Sequence, residues 1–259
     1  MSTTFDDWDV PEWAKGFEAT IVGVRDGVLA CTLNRPDAAN ARNQRMREEL
    51  KTTYRAVAAD ESVAVFVLRA AGDRFFCAGM DLKEAGVSDE TLLEKRQRLG
   101  TERDIEMLAS LPQPTIAAIN GYALGGGLEM AMACDVRIVA NEAQVGLTEV
   151  DHGLVPGGGG TVRLPRLVGE GRAMEMILLG QRIDGATAAS IGLANRSVPR
   201  QELDTAVTDF AAALAAKPSV AVRAAKTLIR SGVELPLAAA LDRELDTLLA
   251  LMEHKRARE

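Results

Sequence analysis

The sequence predicts an α/β fold in which strand–strand–helix units repeat and then give way to a helical C-terminal region. Three observations carry that prediction. Short continuous apolar runs such as VAVFVLRA alternate with segments of helical periodicity, glycine clusters stand directly before helical runs, and from EGRAMEMILLG onward the helical pattern dominates. At 259 residues, 47% apolar and 26% charged, the chain has ordinary globular composition and enough length for one large core.

Residues 1–16 read as an irregular acidic arm that carries both tryptophans, Trp8 and Trp13. The arm has no apolar run, so it is not a signal peptide, and its tryptophans are expected to pin it by packing. EATIVGV and VLACTLN flank the turn signal RDG and predict a hairpin. NQRMREELKTTYRAVAAD places Met46, Leu50, Tyr54 and Val57 at helical spacing, and Val63–Ala70 follows as a buried strand. After the loop AGDRFFCAGMDLKEAG come a charged helix over Leu92–Leu108, the strand PTIAAIN, and a helix entered through Gly125, Gly126 and Gly127. DVRIVA is a further strand, and AQVGLTEVDHGLVPGGGGTVRLPRLVG a glycine-rich return. ATAASIGLAN and RQELDTAVTDFAAALAAK read as helices, the second with Pro199 near its first turn. The last run sets Leu237, Leu241, Leu245, Leu248 and Met252 along one face. No low-complexity linker or fixed-period repeat interrupts the chain, so the division is an arm (1–16), a core (17–195) and a helical region (196–259).

Bulk chemistry excludes several classes. A formal charge of −7 argues against a nucleic-acid binder. Cys31, Cys77 and Cys134 lack metal or disulfide spacing, and only His152 and His254 are available, so no metal centre is expected. Scattered reduced thiols suit the cytoplasm, and no apolar stretch approaches the roughly 20 residues of a membrane span.

Three segments carry candidate chemistry: FFCAGMDLKE, GYALGGGLE and GLTEVDHGLVPGGGGT, with Glu149 twenty residues after Glu129. Each alone is ordinary. GGGG at Gly157–Gly160 is no phosphate loop because no Gly-Lys-Ser/Thr follows. An isolated Glu in an apolar helix is usually a partner for an arginine. In order and spacing, however, they resemble the crotonase, or enoyl-CoA hydratase/isomerase, superfamily. The resemblance begins at LNRPDAANA (Leu33–Ala41), passes through PTIAAINGYALGGGLEMAMACDVRIVA, and ends at AMEMILLGQRIDGATAASIGLAN, covering Phe17–Asn195 nearly continuously.

That resemblance implies a spiral of ββα units with a C-terminal helical region that makes trimer contacts, in trimers or dimers of trimers. It implies an acyl-CoA thioester as substrate, with no separate cofactor. It also implies an oxyanion hole whose backbone N–H groups fall on Ala78 and Gly126. Such donors stabilise a thioester enolate more than the neutral carbonyl, and a helix N-terminus adds to the effect. Backbone of Ala78, Gly79, Met80, Asp81, Gly126 and Ala41 is implied to meet the substrate, and Lys83–Thr101 to wall the acyl pocket. Glu129 and Glu149 occupy both positions at which hydratases of the family carry Glu. The family assigns water activation mainly to the first and the C2 proton mainly to the second. If the two lie close, at least one ionises late, and the titration belongs to the pair.

Around these residues, Cys77 reads as packing, Asp81 as shaping its turn, and His152 as a structural hydrogen-bonding group. Arg35 and Arg42 stand where they reach either CoA phosphates or solvent. Relatives close the CoA site with a basic tail, of which LLALMEHKRARE keeps only part. Two alternatives therefore stay open: a CoA-independent β-diketone hydrolase similar to 6-oxocamphor hydrolase, and a non-catalytic acyl-CoA-binding subunit.

Overall fold

The computed structural model describes residues 8–85, 90–101 and 103–257. The described part of the arm, from Trp8 onward, meets the first strand through an antiparallel bridge between Asp9 and Val24. Trp8 packs on Gly23, where a Cβ would stand 2.7 Å from the Trp8 Cβ. Strands β1 (Thr20–Arg25) and β2 (Val28–Leu33) form the expected hairpin. Helix α1 (Gln44–Ala59) starts where the Asn43 side chain accepts from the Met46 N–H, 2.9 Å away. Its Met46, Leu50, Tyr54 and Val57 are all fully buried, and Tyr54 meets Phe66 edge to face at 5.7 Å.

From there the chain winds in repeating turns. Each contributes one strand to a six-stranded sheet, one short strand to a second sheet, and then helix. The first turn is β3 (Val65–Ala70), β4 (Phe75–Cys77), α2 (Leu82–Ala85), α3 (Leu92–Thr101) and α4 (Asp104–Ala109). The second is β5 (Thr115–Ile119), β6 (Tyr122–Leu124) and α5 (Gly126–Ala133). The third is β7 (Val136–Ala140), β8 (Gln144–Gly146), a 3-10 turn at Glu149–His152, α6 (Gly160–Val168) and α7 (Glu170–Leu178). Then β9 (Arg182–Asp184), α8 (Gly185–Ser190) and β10 (Arg196–Val198) complete the sheets. The large sheet has the order β1-β2-β3-β5-β7-β10 and is parallel apart from the β1–β2 pair; the small one has the order β4-β6-β8-β9. Parallel neighbours explain why β3 and β5 read as continuous apolar runs rather than alternating ones.

Two sequence expectations change. The helix expected over Leu92–Leu108 is two, α3 and α4; Arg103 leaves helical backbone immediately before α4. Strand β4 falls in the segment expected to be loop, and β8 in the expected glycine-rich return, because three residues cannot show a period. Residues 86–89, inside the expected pocket wall Lys83–Thr101, lie outside the described residues.

The C-terminal part comprises α9 (Leu203–Ala215), α10 (Ser219–Gly232) and α11 (Leu237–Arg256). Helix α9 buries Leu203, Val207 and Ala211 beneath the large sheet. Helix α10 is pinned by Lys226 and Arg230 on half-buried Asp135, each at 2.7 Å. The α11 stripe is exposed along its length, from Leu237 to Met252. No helix of the described residues is long and apolar enough to cross a membrane.

Candidate active site

The site assembles where the loop after β2, the turn after β4 and the start of α5 meet. In the first, Asn40 has a left-handed backbone (φ 51°) and a fully buried side chain. Its Nδ2 donates to the Ala71 and Phe75 carbonyls, each at 2.9 Å, and its Oδ1 accepts from the Arg35 N–H. Asparagine tolerates that backbone and satisfies three neighbours at once, so it staples the loop to β4. Ala41 follows in this loop; its N–H donates to Ala38 and its carbonyl accepts from Arg35.

The turn Ala78–Asp81 is tied on both sides. The Arg42 N–H donates to the Gly79 carbonyl at 2.8 Å, and the Asp81 N–H donates to the Arg42 carbonyl at 3.2 Å. The Gly79 N–H reaches the Cys77 sulfur at 3.4 Å. The Ala78 N–H donates to the Ala39 carbonyl at 3.0 Å, so the expectation that Ala78 offers a free donor is corrected. Among the described residues, the N–H of this turn without an acceptor is that of Met80.

Gly126, the first residue of α5, has no intrahelical acceptor for its own N–H, and among the described residues none outside the helix. The two turns touch. A Cβ on Gly126 would lie 3.6 and 3.8 Å from the Gly79 Cα and carbonyl carbon, the latter bonded to the Met80 nitrogen. The unengaged Met80 and Gly126 N–H groups therefore sit on adjoining backbone, and glycine at position 79, with φ 97° and a would-be Cβ 3.2 Å from the Gly126 nitrogen, permits that approach.

Glu129 lies one turn into α5 and is buried. Its Oε1 accepts from the Gly158 N–H at 2.7 Å and the Gly160 N–H at 2.8 Å. Burial raises its pKa; those two N–H donors and the charges of Arg42 and Arg163 oppose the rise. Glu149 opens the 3-10 turn and lies over the N-cap of the same helix, its Oε1 2.9 Å from where a Gly125 Cβ would stand. Its Oε2 is enclosed without a hydrogen bond among the described residues. Burial raises this pKa too, and the Glu129 charge pushes it further. The two carboxyls thus form one coupled, partly desolvated pair beside the glycine junction.

Other expected residues have different duties. Arg42 is buried, and its Nη2 donates to both Asp104 oxygens at 2.6 Å. Arg35 holds Asp81 at 2.9 Å and the Ala41 carbonyl at 2.6 Å, so it braces the turn, and Asp81's pKa falls through that bond. Cys77 is fully buried and its thiol is pushed up to about 11 by desolvation, in keeping with packing. His152 is exposed, and among the described residues its ring makes no hydrogen bond, so the structural bond expected of it is absent; its nearness opposes the rise in the Glu149 pKa. Sequence reading missed the Arg42–Asp104 pair, which joins positions 62 residues apart. It also missed the purpose of GGGG, whose one signal was glycine at positions too dense for turns alone.

A two-sheet spiral of strand–strand–helix turns, with a glycine junction beneath two carboxyls, is the crotonase architecture. The chain belongs to the enoyl-CoA hydratase/isomerase family, whose model matches residues 23–259. The chain is 42% identical over 211 residues to the Bacillus subtilis protein YngF, covering 81% of this chain and 80% of the other. It is 38% identical over 239 residues to the 2,3-dehydroadipyl-CoA hydratase of Escherichia coli, covering 91% of each. The crystal structure of enoyl-CoA hydratase from Bacillus anthracis superposes with a TM-score of 0.86 at 39% identity, again over 91% of each chain. The protein is therefore an enzyme of the hydratase/isomerase kind.

Proposed function

We propose that the chain adds water across the C2–C3 double bond of a 2-enoyl-CoA thioester. The observation that carries this reading is the coupled Glu129–Glu149 pair beside two backbone N–H groups that have no acceptor among the described residues. The thioester oxygen accepts from the Gly126 and Met80 N–H groups, which take up the negative charge of the enolate as it forms. Glu129, its Oε1 fixed by two backbone donors, receives a proton from water through Oε2 as the water oxygen bonds to C3. Glu149, whose enclosed and unpartnered Oε2 favours the protonated form, gives its proton to C2. One proton enters Glu129 and one leaves Glu149, so a transfer between the two carboxyls restores the starting state.

The test is turnover of 2-enoyl-CoA thioesters of several chain lengths by the full chain, by Glu129→Gln and by Glu149→Gln. Loss of about two to four orders of magnitude in each variant is expected for an acid–base pair. Undiminished turnover in both variants overturns the reading. Turnover of a free cyclic β-diketone without thioester binding, or tight thioester binding without turnover, overturns it in favour of a CoA-free hydrolase or a binding subunit. The exposed leucine stripe of α11 supports a homotrimer or a dimer of trimers, which sedimentation reads as three or six chain masses.

A further inference from the structure

Arg42 touches both halves of the donor junction. Its backbone N–H and carbonyl bracket Met80, through Gly79 on one side and Asp81 on the other. Its side chain then crosses to α5, where Nη1 stands 3.1 Å from the position a Gly126 Cβ would take. Asp104, the first residue of α4, holds Nη2 with both oxygens. Nη1 makes no hydrogen bond among the described residues, yet it is not one of the fully enclosed unpartnered atoms, whereas Nε is. The pair is therefore oriented: its negative end lies away at Asp104, and its unbonded positive end lies beside Gly126.

A buried ion pair is a poor source of stability, since apolar residues of similar volume usually do as well. A charge kept at this point makes sense if negative charge develops there. We propose that Arg42, held by Asp104, is a positioning residue of the carbonyl-binding junction, which fixes the Met80 and Gly126 donors and sets a positive charge against the enolate. This inference rests on the hydratase reading above and adds a side chain to its backbone donors. The other charged and titratable groups facing the junction are Glu129 from α5, Arg163 from α6, Glu106 from α4 and Glu149 from the 3-10 turn. Tyr54 from α1 and Cys77 from β4 face Arg42 itself. The Arg42 charge also favours the ionised form of Glu129.

The test uses 3-oxobutanoyl-CoA, whose enolate is seen directly by its near-ultraviolet absorbance. The pH at which the bound ligand ionises measures how strongly the junction holds negative charge, without any turnover. In Arg42→Met that pH rises by about one unit, equivalent to about tenfold less enolate. The kcat for hydration falls about ten- to a hundredfold while KM stays within about threefold, since the lost interaction belongs to the charged state. In Asp104→Asn the arginine loses its counter-charge and the ionisation moves the opposite way. The double variant Arg42→Met/Asp104→Leu leaves no orphan charge and repeats the ionisation shift of Arg42→Met, which keeps the test readable should the single variant fold poorly.

A folded double variant that ionises the ligand at the parental pH overturns the proposal. So does a shift in the same direction for Arg42→Met and Asp104→Asn, the mark of damaged packing alone. If Glu129→Gln and Glu149→Gln abolish hydration in that case, the hydratase reading survives. If the unsubstituted chain fails to bind 3-oxobutanoyl-CoA, both readings fall.

Discussion

The four glycines at 157–160 allow the reasoning to be tested one residue at a time. A Cβ on Gly158 would stand 2.5 Å from Glu129 Oε2 and 2.7 Å from the Ile105 Cδ1. Both lie below the 3.0 Å that real Cβ atoms essentially never breach, and the carboxylate, held by two N–H groups, is the part able to yield. The backbone at Gly158 is not left-handed, so Gly158→Ala adds a methyl without added backbone strain. Displacing Glu129 weakens hydrogen bonds to a charged group, worth about 1.5–3 kcal/mol each. Relief of the carboxylate's burial offsets part of that, leaving a net stability loss of about 1–3 kcal/mol. The kinetic effect is larger: a base misplaced by about 1 Å costs on the order of a hundredfold in rate. The assay is loss of 2-butenoyl-CoA absorbance, read as kcat/KM, beside thermal unfolding. Gly157→Ala is the control, because a Cβ there meets nothing within 4 Å and its φ is ordinary. A Gly158→Ala enzyme within about threefold of the parent, against the hundredfold loss expected for a misplaced base, refutes the argument. So does equal damage in the control.

Further outcomes follow from the same geometry. Glu149 has a raised pKa in the folded state, so its contribution to stability is present below the ordinary glutamate range and is lost as pH rises through the raised value. Glu149→Gln should therefore unfold at a higher temperature than the parent at pH 8, with the gap closing by about pH 4, as calorimetry would report. Asn40→Ala removes three buried hydrogen bonds at a left-handed position and should cost about 2–4 kcal/mol in a denaturant titration. A Cβ on Gly127 would fall 2.1 Å from the Cys77 carbonyl oxygen, so Gly127→Ala should yield little soluble protein, measured by expression and gel filtration.

What could be read without coordinates was whatever repeats locally. The period of Met46, Leu50, Tyr54 and Val57 specified the buried face of α1, because helix geometry alone brings those positions together. The apolar runs of β3 and β5 specified strands covered on both faces. The order of AGMD, GGGLE and TEVDHG pointed to the family and to Glu129 and Glu149. Which N–H of AGMD stays free was not legible, because each peptide carries the same donor and its acceptor comes from a distant loop. The Ala39 carbonyl takes Ala78, the Cys77 sulfur takes Gly79, the Arg42 carbonyl takes Asp81, and Met80 is left. Arg42 by itself reads as a cation for CoA phosphates or for solvent; only the fold brings Asp104 of α4 against it. Sequence thus determined the long periodic elements and the chemical types present. Tertiary packing decided which donors were spent on structure and which charges were buried as partners, since hydrogen bonds and desolvation depend on neighbours in space and not along the chain.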